Sequence, residues 1–148
     1  MISVYTLSRM NDRVDLMPCK DCYCLAARRT AREITRIYEA GLRPFGLRAT
    51  QFSILAALSL MGPTPVGDLA DVLGLERTSL TRSAAVVERN GWIVAGRSTD
   101  AREHVLQVTE AGRAKIEAAF PAWQEAQTLI GEKLAAGDLS SIDQLNPR

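Results

Sequence analysis

The sequence predicts a mainly α-helical single domain that carries one short β-hairpin. The chain has 148 residues, which is close to the commonest size of one globular domain. Hydrophobic residues make up 47% and charged residues 24%, a balance typical of globular chains and not of collagen-like, disordered or purely coiled-coil ones. Apolar residues recur at helical spacing over most of the chain, whereas Trp92–Arg97 and Glu103–Val108 are two short segments typical of strands.

The charge distribution indicates two local cationic surfaces that the net charge of +1 conceals. Residues 20–50 carry seven basic and three acidic side chains, and residues 77–102 carry five and two. Between these blocks, residues 51–76 carry three acidic side chains and no basic one. Clustered cations of this kind are the electrostatic pattern of a nucleic-acid-binding surface.

Hydropathy and cysteine content favour a cytoplasmic protein with no membrane association. The longest uncharged apolar stretch, residues 54–61, is far shorter than the roughly 20 residues of a membrane helix. Residues 1–16 mix charged and apolar side chains and have no continuous apolar core of a secretory signal. The three cysteines are an odd count, which disfavours a secreted disulfide framework.

Two helices are predicted in the first part of the chain. Residues 25–42 carry apolar positions at helical spacing and charged side chains on the opposite face, which predicts an amphipathic helix. Gly41, Pro44 and Gly46 then break the pattern. Residues 50–60 resume it and are apolar over most of the helix surface, so this second helix is expected in the core.

A helix-turn-helix is predicted next. Val66–Leu73 and Arg77–Asn90 are helical patterns whose apolar faces can pack across the tight segment Gly74–Glu76. Asn90 and Gly91 are expected to end the second helix, because both tolerate the left-handed conformation of a C-terminal cap. Its outward face carries short hydroxyls and an arginine, which can reach phosphates and base edges. These residues are Thr78, Ser79, Thr81 and Arg82.

A β-hairpin and a long helix are predicted to follow. Trp92–Arg97 and Glu103–Val108 are expected as strands joined by the polar loop 98–101, and a helix-turn-helix followed by a hairpin is a winged helix. Thr109 is expected as the N-cap of an amphipathic helix that Pro121 kinks or interrupts. Gly137 separates a short final segment, Asp138–Leu145.

Specific residue patterns occur within this predicted winged helix. The helix-turn-helix includes Leu73–Arg82 (LGLERTSLTR), followed by Glu88–Ile93 (ERNGWI). The wing contains Asp100-Ala101-Arg102, and then Leu106, Val108, Thr109, Glu110, Ala111 and Gly112. With these patterns, residues 47–112 resemble the MarR family of winged-helix transcriptional regulators, and the Asp-x-Arg wing pattern is the most specific part of the match.

The resemblance implies a homodimer whose terminal helices intertwine and whose two winged-helix lobes bind a pseudo-palindromic operator in double-stranded DNA. We expect one domain at residues 19–148, with the winged helix at 47–108 and dimerisation helices at 19–46 and 109–148. Residues 1–18 are expected to form an N-terminal arm, either disordered or an additional dimer surface. The implied function is sequence-specific regulation of transcription, with repression as the expected direction.

The resemblance also implies which residues contact DNA. The wing would reach the minor groove, with Asp100 holding the Arg102 guanidinium in place. An alternative role for Asp100 is simply to form a turn. The basic block at 28–36 is expected to be a solvated helix face, and contact with flanking phosphates is the alternative. The expected DNA-binding residues are Arg77, Thr78, Ser79, Thr81, Arg82, Arg97, Thr99, Asp100 and Arg102.

Two hypotheses address the control of DNA binding. Cys19, Cys22 and Cys24 are close enough in sequence to form a disulfide if the start of the first helix unwinds. Inert thiols are the alternative, and zinc is disfavoured because the one histidine, His104, lies on a wing strand.

The second hypothesis is a small aromatic effector, because the family typically binds such ligands between the dimerisation helices and the DNA-binding lobe. In such a pocket, an arginine of the chain would hold a carboxylate of the ligand, and aromatic side chains would contact the ligand's ring. Ordinary core packing of the same aromatic residues is the alternative. The residues concerned are Tyr38, Arg43, Phe45 and Phe52.

Two other function classes were compared with DNA binding. An enzyme is not expected, because the sequence has one histidine, no glycine-rich phosphate loop and no nucleophile, base and acid arrangement. No metal and no cofactor is expected either. A winged-helix adaptor that binds a protein instead of DNA remains the alternative function.

Overall fold

The computed structural model describes residues 13–100 and 102–139. Most of the predicted arm at residues 1–18, the loop residue Ala101 and most of the segment Asp138–Leu145 lie outside the described residues. The described helices are α1 (Tyr23–Leu42), α2 (Ala49–Met61), α3 (Val66–Leu73), α4 (Arg77–Arg89) and α5 (Glu110–Ala136), and the strands are β1 (Thr64–Pro65), β2 (Ile93–Ala95) and β3 (Val105–Val108).

The predicted fold class is confirmed: the chain is mainly α-helical and carries a small antiparallel sheet. Two short 3₁₀ helices, Met17–Asp21 and Arg43–Phe45, flank α1 and were not predicted. None of the helices in the described residues combines the length and apolarity that a membrane crossing requires.

Helix α2 lies at the centre of the hydrophobic core, as its composition predicts. It packs against α1, α3, α4, α5 and β3. Apolar side chains point away from water on most of its circumference, and Ile54, Leu55 and Leu58 are fully buried. Because α1 and α5 pack along each other and both contact α2, the core joins the two long helices to the helix-turn-helix.

The helix-turn-helix forms where the sequence predicts it. Gly74 ends α3 with φ of 63°, a left-handed conformation that glycine adopts without steric cost. The amide of Leu75 donates to the carbonyl of Ala70 at 2.9 Å and closes the turn. Leu69 of α3 and Leu80 of α4 are both fully buried, so α3 and α4 are held together by apolar contacts.

The wing contains one more strand than the sequence predicts. Strand β3 lies between β1 and β2, with Thr64 opposite Leu106 and Ile93 opposite Val108. Strand β1 has only two residues, too few to show an alternating pattern. The two predicted strands are also shorter than expected, because β2 spans only Ile93–Ala95 and β3 only Val105–Val108.

Of the two effects expected of Pro121, an interruption of the C-terminal helix does not occur, since α5 continues from Glu110 to Ala136. Proline removes one helical hydrogen bond, here to the carbonyl of Glu117 four residues earlier. Both Pro121 and Glu117 are exposed, so water can bind that carbonyl. The missing bond therefore leaves no unsatisfied group in the core.

The cap predicted at the start of α5 is confirmed, and the one predicted at the end of α4 is confirmed only in part. Thr109 is the N-cap of α5 as expected, and its Oγ1 accepts the amide of Gly112 at 3.1 Å. Asn90 does not take the left-handed conformation expected at the end of α4, because its φ is −76°. The next residue, Gly91, has φ of 76° and provides that conformation alone.

Candidate nucleic-acid interface

Helix α4 has one buried face and one exposed polar face. Leu80, Ala84 and Val87 point into the core and fix the rotation of the helix about its axis. The opposite face is therefore exposed to solvent along the first turns. The predicted residues on this exposed face are Arg77, Thr78, Ser79, Thr81 and Arg82.

The N-terminus of α4 suits a phosphate oxygen. Its N-cap residue, Glu76, makes no side-chain cap hydrogen bond, and the first turn contains no acidic residue. The first amides of the helix are therefore available to an anion at the positive end of the helix dipole. Thr81 Oγ1 donates to the carbonyl of Arg77 at 2.8 Å, which leaves its methyl group and a lone pair for external contacts.

The wing loop is ordered by its own polar groups. The carboxylate of Asp100 accepts the backbone amide of Arg102 at 2.9 Å, and the amide of Asp100 donates to Ser98 Oγ at 3.1 Å. Ser98 Oγ in turn donates to the carboxylate of Glu103 at 2.8 Å. Asp100 thus contacts the main chain of Arg102 and forms a turn, which is the alternative role, and it does not hold the guanidinium as first expected. Arg97, Thr99 and Arg102 are exposed.

A polar cleft of about 320 Å³ separates the wing from the start of α3. The amide of Val66 donates to the carbonyl of His104 at 2.9 Å and fixes the two walls of the cleft relative to each other. The cleft brings together three residues predicted to bind DNA, namely Arg77, Asp100 and Arg102. Its other lining residues are Pro65, Val66, Gly67, Asp68, Glu103 and His104.

The end of α4 is tied closely to the start of α5. Thr109 Oγ1 donates to the carbonyl of Gly91 at 2.6 Å, and the amide of Thr109 donates to the carbonyl of Trp92 at 3.0 Å. A Cβ atom on Gly112 would lie 2.1 Å from the Trp92 oxygen, so this position accepts only glycine without a backbone shift. Lys115 Nζ donates to the carbonyl of Phe45 at 3.1 Å and lies 5.1 Å from the centre of the Trp92 ring.

The structure does not assemble the four predicted effector residues into one pocket. An apolar groove of about 410 Å³ lies between α2 and α5, and of the four only Phe52 lines it. Arg43 lines a separate polar pocket beside Glu39 and Arg48. The full groove lining is Phe52, Ala56, Ser59, Leu60, Ile116, Glu117, Phe120 and Trp123.

The remaining two aromatic residues pack against the core. Phe45 is partly buried against the hydrophobic cluster, as is Tyr38. Tyr38 stacks on Trp123 at 6.3 Å between ring centres and donates to Gln127 Oε1. Burial raises the pKa of the Tyr38 hydroxyl above its ordinary value, so this phenol stays neutral at physiological pH.

The three cysteines are exposed at the start of α1. Cys19 lies in the first 3₁₀ helix, Cys22 is the N-cap residue of α1, and Cys24 lies in its first turn. The guanidinium of Arg28, one turn later, donates to Cys24 Sγ at 3.6 Å.

The sequence and fold are similar to those of known transcriptional regulators. The MarR family model matches residues 45–103. The transcriptional regulator MosR of M. tuberculosis, solved in complex with DNA, is 39% identical over 74% of this chain and 80% of its own, with a TM-score of 0.68. The chain belongs to the MarR family.

Two further relatives agree with membership in the MarR family. The uncharacterized HTH-type transcriptional regulator YwoH of Bacillus subtilis (strain 168) is 32% identical over 88 residues, which span 60% of this chain and 64% of YwoH, less than two thirds of its length. Overoxidized AbfR, solved bound to DNA, is 25% identical over 82% of this chain and 93% of its own, with a TM-score of 0.65. The family comprises regulators of transcription, not enzymes.

The MarR family match at residues 45–103 includes the whole of α4 and the wing loop. It does not include the cysteines or the C-terminal half of the groove. Sequence analysis missed Ile116, Phe120 and Trp123 as groove residues, because helical spacing marked them simply as one apolar face. Ser59 and Glu117 were also missed, and no sequence signal distinguishes them from other polar residues on these helices.

Proposed function

We propose that this MarR-family chain is a repressor that binds a pseudo-palindromic operator in double-stranded DNA as a homodimer. The observation that carries the proposal is the exposed polar face of α4, which its buried face holds in a fixed orientation beside the exposed wing arginines. Such a helix fits the major groove, and an arginine on a wing suits the narrow minor groove. The complex of its relative MosR with DNA supports the same use of the fold. Since its ligand is cellular DNA, we place it in the cytoplasm.

Exposed apolar side chains support the homodimer. Some lie at the start of α1 and on α5, within the segments 19–46 and 109–148 that we propose as dimerisation helices. Others lie just before α1, on the adjoining arm. Large apolar side chains of this kind mark interaction surfaces when they cluster. The residues are Val14, Leu16, Met17, Tyr23, Leu129 and Leu134.

Fluorescence anisotropy with DNA from upstream of the gene tests the proposal. We expect tight, salt-dependent binding that Arg82→Ala weakens about tenfold or more, because a base contact by arginine contributes about 1–3 kcal/mol. Arg36→Ala on α1 removes the same charge from an exposed helix face and is expected to change affinity much less. If no fragment binds specifically, or if both variants bind DNA equally well, the repressor proposal fails and the adaptor alternative is favoured.

Thiol oxidation is one proposed mechanism of release. Peroxide would oxidise the Cys24 thiol to a sulfenic acid and be reduced to water, and a second thiol, from Cys19 or Cys22, would attack the sulfenic acid to form a disulfide and release a second water. The exposure of all three thiols supports this step. In the same assay, peroxide is expected to release DNA from the unmodified chain and not from Cys24→Ser; release from both would exclude the thiol switch.

Effector binding in the groove between α2 and α5 is the other proposed mechanism. The groove joins α2, in the winged helix, to α5, whose N-cap Thr109 donates its amide to the carbonyl of Trp92, three residues after the end of α4. A ligand that moves these two helices apart would therefore change the orientation of α4. The size of the groove, about 410 Å³, suits a small aromatic molecule.

A further inference from the structure

The polar cleft between the wing and the start of α3 lies where the DNA backbone would pass. One wall belongs to the wing, which the proposed complex places in the minor groove, and Arg77, the first residue of α4, lines the side of the major groove. A sugar-phosphate strand separates these two grooves of a duplex, so it has to cross the cleft. Gly67 also lines the cleft, and a Cβ atom there would meet nothing within 4 Å, so this wall is open to a phosphate.

The cleft is negatively charged while its histidine is neutral. Three carboxylates and two guanidinium groups line it, which leaves a net charge of −1. In the described part of the chain, neither arginine of the cleft forms a salt bridge with these acids. A phosphate would therefore meet an excess of like charge. The charged residues are Asp68, Asp100, Glu103, Arg77 and Arg102.

The three carboxylates of the cleft interact with neutral groups of the chain. Asp100 accepts the backbone amide of Arg102 at 2.9 Å, and Glu103 accepts the hydroxyl of Ser98 at 2.8 Å. Asp68 lies in the first turn of α3, at the positive end of the helix dipole. None of these partners carries a full positive charge, so the carboxylates are held in place without being neutralised.

His104 lies in the same cleft and is the one histidine of the chain. Its side chain is exposed, while its backbone carbonyl accepts the amide of Val66 at 2.9 Å. That hydrogen bond fixes the residue where the wing meets α3, beside the expected path of the phosphates. Histidine is the side chain that ordinarily changes charge between pH 5 and 8. One added proton on the imidazole would bring the cleft to neutrality.

From this arrangement we infer that His104 is a proton-dependent contact to an operator phosphate, so that affinity for DNA rises as the pH falls. The imidazolium donates an N–H to a phosphate oxygen, and a hydrogen bond between two ions is stronger than one between neutral groups. Because DNA binds the protonated form more tightly, complex formation takes up a proton and is favoured by acid. The inference rests on the proposed function, since it concerns the same DNA-binding surface.

Fluorescence anisotropy with the upstream DNA at pH 7.5 and pH 6.0, at constant ionic strength, tests the inference. Between these values a histidine side chain ordinarily goes from mostly neutral to mostly protonated, whereas carboxylates and thiols change little. We expect about tenfold tighter binding by the dimer at pH 6.0, roughly threefold for each copy of His104, as for an ion pair near a protein surface. Equal affinities at the two pH values would overturn the inference.

Two substitutions of His104 separate charge from shape. His104→Gln cannot be protonated, so at both pH values it is expected to bind as the unmodified chain does at pH 7.5. His104→Arg is positively charged at both values and is expected to bind tightly at both. A rise in affinity at pH 6.0 that persists in either variant would overturn the inference.

A displaced histidine provides the matched control. His104→Gln combined with Arg36→His moves the single imidazole to the exposed face of α1. We expect the affinity of this double variant to be the same at both pH values. A rise at pH 6.0 would show that an imidazolium anywhere on the chain increases affinity, which would overturn the contact at His104.

The salt dependence provides a second measurement on the same samples. Each additional phosphate contact steepens the slope of log affinity against log salt concentration by about 0.9. The slope of the unmodified chain is therefore expected to be steeper at pH 6.0 than at pH 7.5, while that of His104→Gln stays the same. Equal slopes for the unmodified chain at the two pH values would overturn the inference.

The outcomes distinguish this inference from the proposed function. Specific operator binding that does not depend on pH would reject the contact at His104 and leave the repressor proposal intact. Absence of specific binding at both pH values would reject the repressor proposal and the inference with it.

Discussion

At the scale of single residues, Gly112 shows how little space separates α5 from the segment that follows α4. Its position in the first turn of α5 faces the carbonyl of Trp92, 2.1 Å from where a Cβ atom would stand. Two hydrogen bonds of Thr109 hold the same junction from the other side. The backbone between α4 and α5 is therefore fixed by steric fit as well as by hydrogen bonds.

Gly112→Ala is expected to lower the free energy of unfolding by about 2 kcal/mol or more, because the methyl group has to displace backbone atoms. Gly131→Ala in the same helix is the matched control. A Cβ atom at Gly131 meets nothing within 4 Å, and alanine favours helix over glycine by about 1 kcal/mol, so that variant is expected to be more stable. Urea unfolding measures both, and equal effects of the two substitutions would contradict the steric explanation.

At the scale of secondary-structure elements, sequence periodicity predicted what local interactions determine. It placed α3 at Val66–Leu73 and the start of α4 at Arg77, because apolar spacing and the Gly74 turn are local signals. It missed β1, which exists only because Thr64 pairs with Leu106 far along the chain. Pairing between distant segments leaves no local sequence pattern when a strand has only two residues.

The candidate site also combines a part that local sequence patterns predict with a part that depends on contacts between distant segments. The exposed face of α4 follows from its own periodicity, since Leu80 and Val87 fix which side is buried. The groove does not, because its rings come from α2 and α5, and Arg43 reaches a different pocket. Composition and spacing show that residues are aromatic or charged; the relative rotation of two packed helices decides which of them meet.

Lys115 of α5 contacts both the 3₁₀ helix Arg43–Phe45 and the Trp92 ring, and its removal is expected to weaken the packing of these segments. Lys115→Met keeps the apolar stem but loses the hydrogen bond to the carbonyl of Phe45 and the contact with the Trp92 ring. We expect a loss of about 1–2 kcal/mol in the free energy of unfolding. Arg113→Met, an exposed cation of the same helix, is expected to change it by no more than about 0.5 kcal/mol. Chemical denaturation measures the free energy of unfolding of both variants. Similar decreases in both would show that the Lys115 contacts contribute nothing specific.

At the scale of the whole molecule, the proposed operator binding depends on two copies. A single winged helix makes few base contacts, while a twofold dimer brings two copies of α4 about one helical turn of DNA apart. Exposed apolar side chains such as Leu129 of α5 are the proposed contact surface. Affinity for the operator is therefore expected to fall when the dimer dissociates.

Leu129→Glu is expected to convert the dimer to monomer, because it introduces a charge into an apolar contact. Met61→Glu, whose side chain is 48% exposed compared with 44% for Leu129, lies outside the proposed surface and is expected to remain dimeric. Sedimentation equilibrium distinguishes the two states, and the monomeric variant is expected to bind a full operator no more tightly than a half-site. A dimeric Leu129→Glu would show that the contact surface lies elsewhere.

Strand β3 pairs with both β1 and β2, and the carbonyl of His104, just before β3, binds the amide that starts α3. The wing and the helix-turn-helix consequently form one unit with few internal degrees of freedom. In a bound complex of the proposed kind, neither part can adjust separately to an imperfect half-site. Adaptation to a suboptimal sequence then falls on the DNA, so base pairs that the protein never touches would influence affinity through the flexibility of the duplex.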